Sequence, residues 1–140
     1  MNGRDGDAVD GFLLAYDGFD PGAEGLREAL TSTGNGYLCT RGAAEWEDAD
    51  GVHYPGTYAH GGYNRETTMM GGLPVLNEDL VNLPNWLVLE LRIEGEEAVT
   101  LEDVELLDYR HEYDIRNAAV LRRLRFRDRS GRQTDRKSVV

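Results

Sequence analysis

The chain has 140 residues, a length that predicts one domain with a single core. Its formal net charge is −11, but residues 1–105 carry 21 acidic and 5 basic side chains, whereas residues 106–140 carry 5 acidic and 10 basic ones. An acidic body does not suit nucleic-acid binding, because phosphate contacts need a positive surface. The 17 glycines favour a loop-rich β protein over a helical bundle.

The beginning of the chain carries no targeting signal. Residues 1–11 are polar and acidic, which predicts a disordered leader and excludes a secretory signal or an amphipathic transit peptide. The sequence has no run of about 20 apolar residues that could cross a membrane. Cys39 is the only cysteine, so no internal disulfide can form, and we expect this thiol to be buried. These features are compatible with a cytoplasmic protein.

The first predicted elements are a strand and a helix. The apolar residues 12–16 indicate a short strand, and Asp20 followed by Pro21 predicts a helix start, with Asp20 as the cap. The helix is expected near residues 21–33, ending before Gly34. Its apolar face would consist of Leu26, Ala29 and Leu30.

The middle of the chain is rich in turn signals. Gly34-Asn35-Gly36 predicts a tight turn that directs residues 37–41 into a strand, and the structural role expected for Asn35 is to support a left-handed turn. Residues 42–84 show little alternation, so only short strands are expected there. The clearest alternation is in residues 86–93, which predicts a strand. A weaker strand is expected over residues 99–107.

The last part of the chain predicts an antiparallel pair. Residues 120–127 alternate as a strand, a turn follows at residues 128–131, and residues 132–140 would return as the next strand. This region is rich in arginine, which could indicate a polyanion patch. The alternating pattern favours a solvated or domain-facing strand instead. The arginines are Arg122, Arg123, Arg125, Arg127, Arg129 and Arg132.

Several motifs together resemble a known family. They are Gly34-Asn35-Gly36-Tyr37, Thr40-Arg41-Gly42, Tyr54-Pro55-Gly56-Thr57-Tyr58, Gly61-Gly62-Tyr63-Asn64-Arg65, and the run from Asn77 through Asn82-Leu83-Pro84-Asn85-Trp86 to Leu87. In this order they resemble the amino-terminal domain of glycoside hydrolase family 65, over residues 12–134. The resemblance implies an antiparallel β-sandwich of the galactose-mutarotase-like supersandwich type. Residues 12–140 would form this sandwich incompletely, and a catalytic barrel of paired helices would be absent.

The resemblance also implies a function. The chain would be the non-catalytic domain of an enzyme that cleaves α-glucosidic disaccharides such as maltose or trehalose, by phosphorolysis or hydrolysis. Such a domain would support the barrel, shape the substrate entrance and contribute to a homodimer. The family's acid and phosphate site lie in the barrel, so we assign no catalytic residue, no cofactor and no metal here. Inorganic phosphate would be a co-substrate of the parent enzyme, and this chain alone is expected to be inactive.

Residues with reactive side chains have plain structural alternatives. The acidic cluster around Trp46 suggests an acid–base pair but is more typical of a solvated loop. Glu78 and Asp79 are expected to serve turns or subunit contacts. The remaining candidates match no metal-ligand spacing. The acidic cluster is Glu45, Glu47, Asp48 and Asp50, and the possible metal ligands are His53, His60, His111 and Cys39.

Five residues are candidates for binding a sugar, because flat aromatic faces and side chains that donate and accept hydrogen bonds hold sugars in proteins. They are Arg41, Tyr58, Asn64, Arg65 and Trp86. The structural alternatives are that Arg41 pairs with a carboxylate and that Trp86 anchors the core. An alternative function is a free-standing carbohydrate-binding β-sandwich module that uses Trp46, Tyr58 and Trp86. A pure assembly domain is a third possibility.

Overall fold

The computed structural model describes residues 11–93 and 97–140. Nearly all of the predicted leader therefore lies outside the described residues. The described residues form two four-stranded antiparallel sheets and one short helix, which confirms the predicted mainly β class. Their contacts divide them into two compact units, one with the residues up to 19 and from 101 onwards, the other with residues 20–100. We call them the terminal unit and the central unit.

The terminal unit is a sheet of four strands in the order β1-β6-β7-β8. They are β1 (Leu13–Asp17), β6 (Glu105–Asp114), β7 (Ala119–Arg127) and β8 (Gln133–Val139). The predicted strands at 12–16, at 120–127 and after the turn at 128–131 are confirmed. On β7, the side chains of Val120, Leu124 and Phe126 are buried, as the alternation predicts, and Arg122 is buried on the same face.

Several other arginines of this sheet contact carboxylates on neighbouring strands. Arg125 contacts Asp135 at 2.7 Å, and Arg127 contacts Glu105 at 2.6 Å. Arg110 on β6 lies 2.8 Å from Asp17. These exposed pairs contribute little stability each, but they offset part of the basic charge of the region. The solvated-strand interpretation therefore fits Arg125 and Arg127 better than a polyanion patch, whereas Arg122 is buried.

The central unit begins with helix α1 (Pro21–Leu30). The predicted start is confirmed, since the Asp20 side chain accepts a hydrogen bond from the Gly22 N–H at 3.0 Å. The predicted apolar face is wrong, because Leu26 and Leu30 are 64% and 53% exposed while Glu24 and Glu28 are the buried helix residues. No helix in the described ranges has the length and apolar character to cross a membrane.

The sheet of the central unit has the order β2-β3-β4-β5. Its strands are β2 (Thr33–Gly34), β3 (Leu38–Thr40), β4 (Thr57–Met70) and β5 (Leu73–Leu83). The turn between β2 and β3 is as predicted, and its left-handed residue is Gly36, with φ +87°. Asn35 supports this turn by accepting hydrogen bonds from the Tyr37 and Leu38 N–H groups, both at 3.0 Å.

Strands β4 and β5 form a long hairpin where only short strands were predicted. Gly71 and Gly72 both have positive φ, as a two-residue hairpin turn between paired Met70 and Leu73 requires. Nearly every side chain from 63 to 82 is exposed, on both faces of the ribbon. A ribbon exposed on both faces needs no apolar alternation, so the period-2 test could not find it.

The strand predicted at 86–93 is wrong. This segment has only one isolated bridge in the described residues, between Arg92 and Ala98, and single hydrogen bonds such as Leu89 N–H to the Glu45 carbonyl at 2.7 Å. Alternation favours an extended backbone, but a strand needs a neighbour that satisfies its peptide groups. The strand expected over 99–107 is only partly right, because β6 begins at Glu105.

A buried carboxylate ties the central unit together. The Glu28 side chain is fully buried, with Oε1 2.7 Å from His53 Nδ1 and Oε2 accepting from the Tyr54 N–H at 2.9 Å. Arg41 Nη2 lies 3.8 Å from the same carboxylate. Three points of the loop that joins β3 to β4 are thus fixed to one residue of α1.

This carboxylate changes the titration of His53. Burial of the ring lowers its pKa, but the hydrogen bond and charge of Glu28, together with the charges of Glu47 and Asp50, raise it above the ordinary value of 6.5. His53 is therefore charged in the folded protein at a pH where the unfolded chain has already lost the proton.

A first prediction concerns the pH dependence of stability. The His53–Glu28 pair stabilises fully below pH 6.5 and is lost as pH rises through the raised folded-state pKa, so the free energy of unfolding falls across that window. The slope approaches at most about 1.4 kcal/mol per pH unit. Glu28→Gln should remove the slope and cost about 2–4 kcal/mol at neutral pH. Urea melts followed by tryptophan fluorescence measure both. His60→Asn, which changes an exposed histidine, should keep the slope. A slope that survives in Glu28→Gln would contradict the assignment.

A second prediction concerns the close approach of the loop to α1. The Gly42 N–H donates to the Glu28 carbonyl at 3.0 Å, and a Cβ on Gly42 would lie 2.1 Å from Thr31 Oγ1 and 2.8 Å from the Thr31 carbonyl oxygen. Gly42→Ala should therefore lower the free energy of unfolding by at least about 2 kcal/mol. Gly51→Ala is the matched control, since a Cβ there meets nothing within 4 Å. Equal melting temperatures for the two variants would show that Thr31 does not pack as described.

Candidate functional site

Arg41 is committed to holding the fold. Its Nε donates to the Tyr54 carbonyl at 2.7 Å, and its Nη2 donates to the Gly25 carbonyl at 3.0 Å. The guanidinium also lies over the Tyr54 ring, 5.5 Å from the centroid. With Glu28 nearby, this is the carboxylate-pairing arrangement that the sequence left open as an alternative to sugar binding.

Trp86 does not anchor the core, because its side chain is 65% exposed. Its indole Nε1–H donates to Thr40 Oγ1 at 3.2 Å, and this hydroxyl is 3.2 Å from Thr57 Oγ1. The chain of contacts fixes the indole by its polar edge and leaves much of the apolar ring open. The exposed face of the Trp86 ring is therefore accessible to a ligand or a partner.

Tyr58 on β4 is paired with Cys39 on the neighbouring strand β3 and packs closely on Gly56. A Cβ on Gly56 would lie 2.6 Å from the Tyr58 hydroxyl, so only glycine leaves room for the ring in this position. Burial raises the pKa of Tyr58 above 10.0, and the neighbouring Tyr54 adds to the effect. The phenol stays protonated at neutral pH, and its hydroxyl is hydrogen-bonded to the Tyr54 side chain.

Asn64 and Arg65 are adjacent on β4 and therefore point to opposite faces of the hairpin. Arg65 contacts Glu78, its cross-strand neighbour, at 3.1 Å, and Asn64 is paired with Asp79. Glu78 thus stabilises the hairpin, and its predicted subunit role stays a prediction. Of the five candidate residues, Tyr58 is the one that lines the groove described next.

The groove that Tyr58 lines is built mainly from residues that were not among the sugar-binding candidates. It has a volume of about 370 Å³ and belongs to the central unit. Tyr37 and Tyr63 contribute two more rings, and His60 and Leu80 lie beside them. The available signal was the pairing of each of these tyrosines with a preceding glycine, in Gly36-Tyr37 and Gly62-Tyr63. We call this feature the tyrosine groove.

Cys39 lines the tyrosine groove and is exposed, so the expected burial of this thiol is wrong. The side chains of a short strand alternate between faces, and Thr40, rather than Cys39, takes the buried position. The chain's single thiol is therefore accessible to reagents that enter the groove.

The acidic segment around Trp46 is only partly a solvated loop. Glu45 is buried, whereas Asp48 and Asp50 are exposed. Asp50 accepts hydrogen bonds from the backbone N–H groups of His53 and Val52, which lower its pKa. This carboxylate organises the turn that delivers His53 to Glu28.

The shifts found for carboxyl pKa values are downward, whereas a general acid needs an upward shift. The Asn117 side chain lowers the pKa of Asp114, and the Ser130 hydroxyl lowers that of Asp128 to about 2. A general acid needs a raised pKa to keep its proton. Within the described residues, no group of three or more His, Cys, Asp or Glu side chains is placed to hold a metal ion.

Comparison with known proteins places this domain in a family. Residues 14–139 match the N-terminal domain of glycosyl hydrolase family 65. An uncharacterized glycosyl hydrolase of Mycobacterium tuberculosis is 51% identical over 125 residues, covering 89% of this chain and 9% of that protein. The trehalose 6-phosphate phosphorylase of Lactococcus lactis is 36% identical over 125 residues, covering 88% of this chain and 16% of the enzyme.

Two further relatives extend the comparison. The kojibiose phosphorylase of Caldanaerobacter subterraneus is 32% identical over 123 residues, covering 88% of this chain and 15% of the enzyme. A solved structure, described as a candidate kojibiose phosphorylase from the human microbiome, superposes with a TM-score of 0.71 at 23% identity, over 85% of this chain and 16% of that one. The chain thus spans less than a fifth of these relatives, and the match over residues 14–139 shows that it belongs to glycosyl hydrolase family 65, whose N-terminal domain it resembles throughout.

Proposed function

We propose that this chain is the non-catalytic domain of an enzyme that cleaves α-glucosidic disaccharides by phosphorolysis or hydrolysis. The observation that carries the proposal is the N-terminal-domain match over residues 14–139, which occupies only 9–16% of the curated relatives. Two of those relatives are named as phosphorylases, of trehalose 6-phosphate and of kojibiose. The enzyme acts in the cytoplasm, with inorganic phosphate as co-substrate if it is a phosphorylase.

The chemistry of the buried carboxylates supports a non-catalytic role. Glu24 contacts Arg27 at 2.7 Å, Glu28 is held by His53, and Glu112 contacts Arg110 at 2.6 Å. In each pair a carboxylate oxygen is already engaged by a basic side chain within the fold. Glycoside cleavage needs an acid that keeps its proton beside the leaving oxygen. The groups described here are better suited to holding the fold.

The exposed apolar surfaces support a role in docking. At the tip of the β4–β5 hairpin, Met69, Met70, Leu73 and Leu76 are all more than 60% exposed. A two-stranded hairpin is only marginally stable in water by itself, and clustered exposed apolar side chains mark interaction surfaces. The hairpin tip and the outward Leu26 and Leu30 of α1 would pack against the catalytic domain, its substrate entrance or a second protomer.

A third prediction tests the absence of chemistry in this chain. The purified 140-residue chain should release no glucose or glucose phosphate from maltose, trehalose or kojibiose, with or without inorganic phosphate. The physical reason is that the buried carboxylates of Glu24, Glu28 and Glu112 are already paired within the fold. Coupled enzymatic assay of both products, with a family 65 phosphorylase as positive control, measures this. Turnover that rises in proportion to chain concentration and survives repurification would overturn the non-catalytic assignment.

A fourth prediction tests docking. In a chimera, this chain replaces the 125 matching residues of the Lactococcus lactis enzyme. The chimera should retain measurable phosphorylase turnover. Leu73→Gln should reduce that turnover by about tenfold, which corresponds to about 1.4 kcal/mol of lost docking energy. The matched control is Thr67→Gln, which places the same side chain at an exposed polar position of β4 and should have no effect. If removal of the whole domain leaves turnover unchanged, the supporting role is disproved.

A further inference from the structure

We infer that the tyrosine groove binds an uncharged α-glucoside, as a sugar-binding site that is separate from the chemistry of cleavage. The choice of α-glucosides as the ligand class rests on the proposed function. The site itself rests on the geometry of Tyr37, Tyr58 and Tyr63 around an open cavity of about 370 Å³. This volume lies within the range of about 300–1,000 Å³ that is usual for small-molecule sites.

The backbone is specialised to bring the three rings together. Strand β4 leaves its register between Tyr58 and Tyr63, where the partners on β5 advance only from Asn82 to Leu80. The extra residues of β4 form a bulge, which contains Gly61 at φ +76°. Bulges of this kind redirect side chains and are frequent beside functional sites. Tyr58 and Tyr63 therefore flank one hollow instead of lying along a flat ribbon.

The third ring is delivered by the turn before β3. The His60 N–H donates to the Tyr37 carbonyl at 2.7 Å, and Asn35 Oδ1 accepts from the Tyr37 N–H. These two bonds fix the Tyr37 backbone against the bulge. The Tyr37 side chain is nevertheless 77% exposed and that of Tyr63 is 52% exposed, so both rings keep open area. The backbone is held while the rings remain available.

The chemistry of the lining selects a neutral, ring-shaped polar ligand. Aromatic faces pack against the C–H surface of a pyranose, while phenolic hydroxyls donate and accept hydrogen bonds at its rim. The lining residues that the structure describes include no Asp, Glu, Lys or Arg. Apart from the His60 ring, a phosphate group would find no basic side chain among these lining residues to pair with. A neutral disaccharide is therefore preferred over its phosphorylated form.

The exposed thiol in the groove provides a readout that does not depend on turnover. Cys39 is the chain's only cysteine, so iodoacetamide alkylates a single site. Maltose, kojibiose or trehalose in the groove should shield it. At a sugar concentration about four times Kd, about one fifth of the grooves are empty, and alkylation should slow about fivefold. Trehalose 6-phosphate should protect less than trehalose at equal concentration.

Variants separate binding in the groove from other effects. Tyr37→Ala and Tyr63→Ala should each abolish the protection, and because both rings are largely exposed, the melting temperature should change little. Phe12→Ala, which removes a half-exposed aromatic side chain of the terminal unit, should leave protection intact. A reporter moved out of the groove, by Cys39→Ser combined with Ser130→Cys, should show no protection.

Three results would overturn the inference. They are no protection by any of the three disaccharides up to their solubility limits, unchanged protection in Tyr37→Ala, and equal protection by sorbitol. Since the assay uses the chain alone, its failure leaves the chimera experiment unaffected. Conversely, protection in a chain whose chimera is inactive would support the groove and reject the enzyme-domain role.

Discussion

Burial of the Glu28 carboxylate is the constraint on which the central unit depends. A buried charge without partners costs several kcal/mol, whereas one with several good hydrogen bonds is tolerated. Its partners, His53, the Tyr54 N–H and Arg41, come from separate points of one loop. None of them satisfies the carboxylate alone, so helix and loop must be placed together. This loop has little regular structure of its own, and the contacts to one helix residue give it a single arrangement.

The same constraint explains why α1 buries charged side chains and exposes apolar ones. An amphipathic helix ordinarily buries its apolar stripe, but here Glu24 and Glu28 occupy the buried face and Leu26 and Leu30 face outwards. The arrangement of α1 in the unit is therefore set by polar contacts, and the apolar side chains of the helix remain exposed. The outward Leu26 and Leu30 are the side chains that the proposed docking role would use.

The sequence predicted those elements whose signals are local. Asp20 caps α1 through a bond to a residue two positions away, and the turn at 128–131 is closed by the side chain of its own first residue. The predictions for the hairpin and for residues 86–93 were wrong for complementary reasons. The hairpin is a true ladder without apolar periodicity, and 86–93 has the periodicity without a ladder partner in the described residues. Alternation reports burial on one face, and it does not report pairing.

The candidate site shows where sequence reasoning reaches its limit. That Arg41 would pair with a carboxylate was foreseeable, but the identity of Glu28 depended on an unexpected orientation of α1. The grouping of Tyr37, Tyr58 and Tyr63 depended on a bulge whose position is set by Gly61 and by the register of two strands. A glycine in the sequence signals freedom of φ without saying how it is used. The bulge places Tyr58 and Tyr63, which are five positions apart in the sequence, around one hollow. The groove therefore depends on the pairing register of β4 and β5, and a different register would remove it without any change of sequence.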